Sequence, residues 1–140
     1  MANSLYDLGR EKFLRGERSW NNDAIKAVLT DHGTDTPNVT TDDFLDDISA
    51  GTVATSPNNF SSKTTTSGVA DAADLTSTDA FSAVSGATCE SLNLYYASGV
   101  ASTSALLVYI DTANSTLPVT PNGGDIAVQW DAGANKIFKL

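Results

Sequence analysis

The chain has one cysteine, Cys89, and one histidine, His32, among its 140 residues. A lone thiol rules out an intrachain disulfide, so stability has to come from packing or from association, and Cys89 reads as a buried structural thiol. One imidazole and one thiol also leave a metal site built on nitrogen and sulfur without enough ligands. A catalytic Cys–His pair would need the fold to bring positions 32 and 89 together. Bases are scarce, eight against seventeen acids, for a net charge of −9. That balance disfavours generic attraction to nucleic acid or anionic lipid, so neither nucleic acid nor membrane is expected as a partner. Long apolar runs are missing as well: the longest, Ala105 to Ile110, is far too short to span a bilayer. No basic n-region leads into an apolar stretch, so a soluble chain without a recognisable export signal is expected.

What is abundant is serine and threonine, which together make up nearly a quarter of the residues, against an ordinary 41% of hydrophobic residues. This composition favours strands and turns over helices. The length suits one domain over 1–140, since a chain of this size buries roughly two-thirds of the surface it exposes when unfolded. The expected fold is mainly β: a small antiparallel β-sandwich or jelly-roll-like domain over 19–140, with a short N-terminal helix or arm over 1–18 and one short helical turn.

The N-terminal helix is expected from Leu5 to Arg15. Ser4 followed by Asp7 three residues on resembles a capping box, Leu5, Tyr6, Leu8, Gly9 and Phe13 share an arc, Glu11 can pair with Arg15, and Gly16 supplies a left-handed stop. Asp23 to Asp31 reads as the first strand after the Asn21-Asn22 turn. Thr40 or Thr41 can cap a helical turn with Phe44, Leu45 and Ile48 on one side and Asp42, Asp43, Asp46 and Asp47 facing outward. Short strands are expected at Gly51 to Thr55, Phe60 to Thr66, Asp74 to Thr76 and Ala80 to Val84. Glu90 to Ala97 and Ser104 to Ile110 read as a hairpin, followed by a polar loop from Asp111 to Ser115. Asn122-Gly123-Gly124 turns into a strand from Asp125 to Trp130, and Lys136 to Leu140 closes the chain.

Chemistry-bearing motifs are few. Two carboxylates one helical turn apart share a face, but the acids at 42–47 lack the spacing and glycine of a calcium loop and read as a solvated face. The glycines of SGVAST and PNGGD match neither a P-loop nor a dinucleotide fingerprint, and read as turns. Trp20, Trp130, Tyr95, Tyr96 and Tyr109 either fill a core or a subunit interface or form an exposed platform for sugars. No acid, base and nucleophile set can be assembled, so the chain is expected not to be an enzyme and to need no cofactor or metal. Five of the eight bases, Arg10, Lys12, Arg15, Arg18 and Lys26, lie in the first 26 residues. They make either a docking surface for an acidic neighbour or an ordinary solvated helix.

Three segments carry a resemblance: MANSLYDLGREKFLRGERSWNNDAIKAVLTD, TTDDFLDDISAGTVATS and LLVYIDTANSTLPVTPNGGDIAVQWDAGANKIFKL. They look like a family of small structural proteins encoded by tailed bacteriophages. The likeness is strongest in YIDTA, LPVTPNGGDI and the closing W-D-x-G-x-N-x-I-F-K-L, and weakest from Ser56 to Thr88. The resemblance implies a virion component, assembled in the host cytoplasm, whose partners are the major capsid protein or other virion proteins. Among such roles it favours a capsid decoration or cement protein, a homo-oligomer with a trimer favoured. The alternatives are a neck, tail or fibre-associated protein, and a receptor- or glycan-binding module displayed on the head. Contact residues then follow: Leu5, Tyr6, Arg10, Phe13, Leu14 and Arg15 for docking of the N-terminal helix, and Trp130, Ile137, Phe138 and Leu140 for the core or a subunit interface. A chain lacking residues 1–18 should on this reading stay folded and lose only its docking.

Overall fold

The computed structural model describes residues 3–112 and 117–140; of the polar loop expected at 111–115, residues 113–115 lie outside this set. Among the described residues the chain is mainly β. Its strands are β1 (Ser4–Leu5), β2 (Ile25–Thr30), β3 (Thr52–Thr55), β4 (Thr64–Thr66), β5 (Val69–Asp71), β6 (Ser91–Tyr96), β7 (Leu106–Ile110) and β8 (Phe138–Lys139). They form two antiparallel sheets, one of five strands in the order β1-β7-β6-β2-β3 and one of three in the order β4-β5-β8.

The five-stranded sheet is covered on both faces. Ile25, Ala27, Leu29, Leu92 and Leu94 belong to the core shared with Trp20, Phe60, Ala70 and Phe138 of the smaller sheet and its flanks. Val28, Tyr95, Leu106 and Tyr109 pack instead with Tyr6 and Ile48. A strand buried on both faces needs apolar side chains at successive positions, which is why Leu106–Ile110 is an unbroken apolar run. The expected hairpin is present, with β6 and β7 in antiparallel register from Leu92 opposite Ile110 to Tyr95 opposite Leu106.

The N-terminus departs from expectation. The helix, α1, spans Asp7–Leu14 and not 5–15. Ser4 does not cap it but pairs opposite Tyr109 in β1, and Leu5 lies opposite Val108. Tyr6 stays extended because its N–H bonds the Leu107 carbonyl at 3.0 Å, continuing the ladder where a helical turn would have broken it. Gly9 then rests on β7. A Cβ there would stand 2.9 Å from both the Leu106 carbonyl oxygen and the Leu107 Cα, so only glycine lets helix and strand approach this closely. The Glu11–Arg15 ion pair and the left-handed Gly16 are as expected. Residues 4–6 thus extend the sheet, and α1 packs against β7.

The helical turn is a 3-10 segment, Leu45–Gly51, preceded by an extended Phe44. Neither Thr40 nor Thr41 caps it: the Asp47 carboxylate accepts the backbone N–H groups of Asp43 and Phe44 at 2.9 Å each. Asp42 accepts the Asn38 N–H at 2.7 Å. Two of the four acids assigned to a solvated face are therefore tied to backbone. In the middle of the chain, the strands expected at 74–76, 80–84 and 125–130 reduce to single bridges, Leu75 to Val128 and Phe81 to Ile126. Val69–Asp71, which the sequence pattern left outside any strand, is the central strand of the smaller sheet. It is reached from β4 by the tight turn Ser67-Gly68, with φ of 54° and 79°.

Candidate interaction groove

The outer strands of the two sheets border one groove. β1 ends the order of the larger sheet and β8 that of the smaller. Between them lies an open cleft of about 1050 Å³, walled by Leu5, Val108, Trp130 and Phe138 together with Arg10, Lys136 and Lys139. At both outer strands one residue faces away from its own sheet. Because Tyr6 and Leu107 are a hydrogen-bonded pair, alternation puts Leu5 at a non-bonded position, with its N–H and C=O turned away from β7. The Leu5 carbonyl accepts from the neighbouring Ser4 hydroxyl at 3.3 Å. On the other side Leu140 donates its N–H to Gly68 at 2.9 Å, which leaves Lys139, opposite Val69, turned away from β5 in the same manner.

The charges are distributed otherwise than a count of bases suggests. Arg10 is paired with Asp7 at 3.0 Å, Lys12 with Glu17 at 2.9 Å, Arg15 with Glu11, and Arg18 with Asp23 at 3.5 Å. The Arg18 guanidinium also lies 3.8 Å over the Tyr96 ring. The Lys12 ammonium holds the Glu17 carboxyl below its ordinary range. Lys26 donates to the Pro57 carbonyl at 3.2 Å, and Lys63, its pKa lowered by burial, donates to the Asp23 carbonyl. Four of the five N-terminal bases are thus paired with the chain's own carboxylates, while Lys26 is held by a carbonyl. Lys136 and Lys139, by contrast, make no ion pair among the described residues, and both line the groove.

The contact residues expected from sequence separate into two sets. Leu5 and Tyr6 are buried within the fold and are not free to dock; Phe13 is half-buried, its ring 5.8 Å from that of Phe138. Arg10 and Arg15 are exposed, and Leu14 is 87% exposed at the helix end. Trp130, Ile137 and Phe138 are core residues, while Leu140 is 60% exposed at the groove. The aromatic rings fill the interior. Trp20 packs edge-on against Phe60 and Phe138, and its indole N–H bonds the Asp71 carbonyl at 2.9 Å. Trp20, Tyr95, Tyr109 and Trp130 are all buried, so the platform of exposed rings that sugar binding would use is not formed by them.

No family model matches this chain, and no curated protein matches it significantly.

One constellation was not visible in the sequence. His32 Nε2 lies 2.8 Å from Ser91 Oγ, within a buried chain of hydrogen bonds in which the Tyr6 hydroxyl donates to Asn93 Oδ1 at 2.7 Å and Asn93 Nδ2 donates to Thr30 and Ser91 at 3.0 and 3.1 Å. The His32 ring also stacks on Tyr109. Ser91 has no exposed surface, so its hydroxyl cannot meet a substrate; the arrangement satisfies polar groups between strands. Cys89 is equally closed, its thiol pushed up to about 11 by burial first and by Glu90 and Asp31 next, which keeps it protonated and unreactive at neutral pH. Among the described residues no group of three or more His, Cys, Asp or Glu side chains is placed to hold a metal ion.

The network carries a measurable stake. Tyr6→Phe removes the donor that satisfies the buried Asn93 oxygen, and is expected to lower unfolding free energy by about 1–3 kcal/mol. Urea denaturation reads this directly; an unchanged midpoint would mean that the hydroxyl is not holding the sheet.

Proposed function

We propose that this chain is a structural protein of the virion of a tailed bacteriophage, a decoration or cement protein that binds the outer surface of the major capsid lattice and stabilises the head. The observation that carries the reading is the likeness of three segments of the sequence to small structural proteins of such phages. The stretch in which that likeness is strong, WDAGANKIFKL, is also the one that walls the groove beside β1. A cement protein works by adding buried area across joints between neighbouring subunits, and a joint of roughly 1,000 Å² or more is enough to be specific. Repetition by symmetry, as in a trimer on a lattice, then multiplies a modest contact. The closed His32–Ser91 pair and the protonated Cys89 favour a binding role over a catalytic one.

The test is the number of copies of this protein relative to the major capsid protein in purified virions, by quantitative mass spectrometry. A count comparable with that of the major capsid protein is expected. Roughly six to twelve copies per particle would move the protein to the neck or tail, and absence from the particle would end the structural reading.

A further inference from the structure

We infer that Asn122 is a latent site of spontaneous covalent modification, an amide set to lose ammonia to the backbone of Gly123 and held unreacted by a clamp from residues 81–84. It heads the chain's one Asn-Gly dipeptide, in a turn exposed from Asn122 to Asp125. A glycine after asparagine puts no side chain in the way of the attack, which makes this the most reactive such pair in an open chain. In the reaction the Gly123 nitrogen loses its proton and bonds to Asn122 Cγ. The bond from Cγ to Nδ2 breaks, and ammonia leaves a cyclic imide. Solvent water then opens the ring at either of its carbonyls. The product is aspartate, or isoaspartate with the main chain running through the former side chain, and either form adds a negative charge at neutral pH.

The fold treats the two reacting groups differently. The electrophile is exposed and polarised, since Asn122 Oδ1 accepts the Gly124 N–H at 3.0 Å. The nucleophile is withheld. The Gly123 N–H donates to the Val84 carbonyl at 2.7 Å, and this bond must break before the nitrogen can shed its proton and turn toward Cγ. Its neighbours reinforce it: Val84 donates its own N–H to the Gly124 carbonyl at 2.9 Å, Ala83 donates to the Asp125 carboxylate at 2.8 Å, and Phe81 and Ile126 exchange both of their backbone bonds. Phe81, Val84 and Ile126 are buried, so the clamp is anchored in the core while the reactive pair lies at the surface. Conversion therefore runs through a local opening that parts Gly123 from Val84, and its rate measures how often that opening occurs. An isoaspartyl product also adds a methylene to the main chain ahead of Gly123. The donors and acceptors that follow then fall out of step with Val84, and the opening becomes permanent. The inference is independent of the virion reading.

The experiment incubates the full chain in mildly alkaline buffer, both folded and in guanidinium chloride, and counts aspartate and isoaspartate at position 122 by peptide mass spectrometry. In denaturant Asn122 is expected to convert ahead of every other asparagine. In the folded chain it should convert at least about tenfold more slowly, and the Gly123 amide should be protected from hydrogen exchange although the residue is exposed. Asp125→Ala removes the acceptor of the Ala83 N–H; it should raise the rate of the folded chain severalfold and leave the rate in denaturant unchanged. Equal rates in the two conditions, an unprotected Gly123 amide, or another asparagine leading in denaturant would overturn the inference. So would a folded Asp125→Ala chain that converts as slowly as the parent. Should that variant not fold, the rate ratio and the hydrogen exchange of the unaltered chain decide alone.

Discussion

A chain lacking residues 1–18 is expected to lose cooperative folding altogether. The deletion removes β1, α1 and the fully buried Tyr6, whose hydroxyl is the donor to Asn93 in the middle of the sheet. Loss of one large buried side chain costs about 3–5 kcal/mol, and Leu5 adds a comparable amount. Together they approach the whole stability of about 5–15 kcal/mol that a domain has to lose. The deletion also bares the long edge of β7, whose residues are all buried in the intact chain, and an exposed apolar edge invites pairing with other chains. Circular dichroism on heating should show no sharp transition, with aggregated material in sedimentation. A truncated chain that melted like the parent would restore the view of the N-terminus as a detachable arm.

Phe138→Ala is the second large effect. Its ring lies 5.2 Å from Trp20 and 5.8 Å from Phe13, so one side chain joins the closing strand, the helix and the central aromatic cluster. Truncation should cost about 3–5 kcal/mol and lower the melting temperature by roughly 10 °C or more. Trp20 emission should move to longer wavelength as water reaches the cavity. Leu140→Ala, at a position 60% exposed, is the contrast: a change within about 0.5 kcal/mol is expected. Equal melting curves for the two variants would place Phe138 outside the core.

Sequence and structure agree where the pattern is local and long. β2, the β6–β7 hairpin, the Glu11–Arg15 pair and the Gly16 stop were all legible, because each rests on periodicity or on neighbours within a turn. Ser4 misled for the opposite reason: its local capping pattern lost to a partner, Tyr109, more than a hundred positions away. Val69–Asp71 is only three residues long, too short for alternation to register, although the Ser67-Gly68 dipeptide before it was a usable turn signal. The stretches at 74–76 and 80–84 alternate like strands, yet left-handed backbone at Ser77 and Ala83 interrupts their pairing after one bridge each. The groove itself was invisible, since its walls come from opposite ends of the chain. Within the cluster of N-terminal bases the Glu11–Arg15 pair was legible, whereas the pairing of Arg10 with Asp7 and of Lys12 with Glu17 emerged only from the structure.

The meeting of β1 and β8 at one opening also sets how this protein can be re-engineered. Residues 4 and 139 flank the same cleft, so a cargo fused ahead of the first strand and one fused behind the last would crowd the same space and would not decorate opposite poles. A payload inserted at the exposed Gly99 loop, which is not among the residues lining this cleft, would instead leave from another part of the surface.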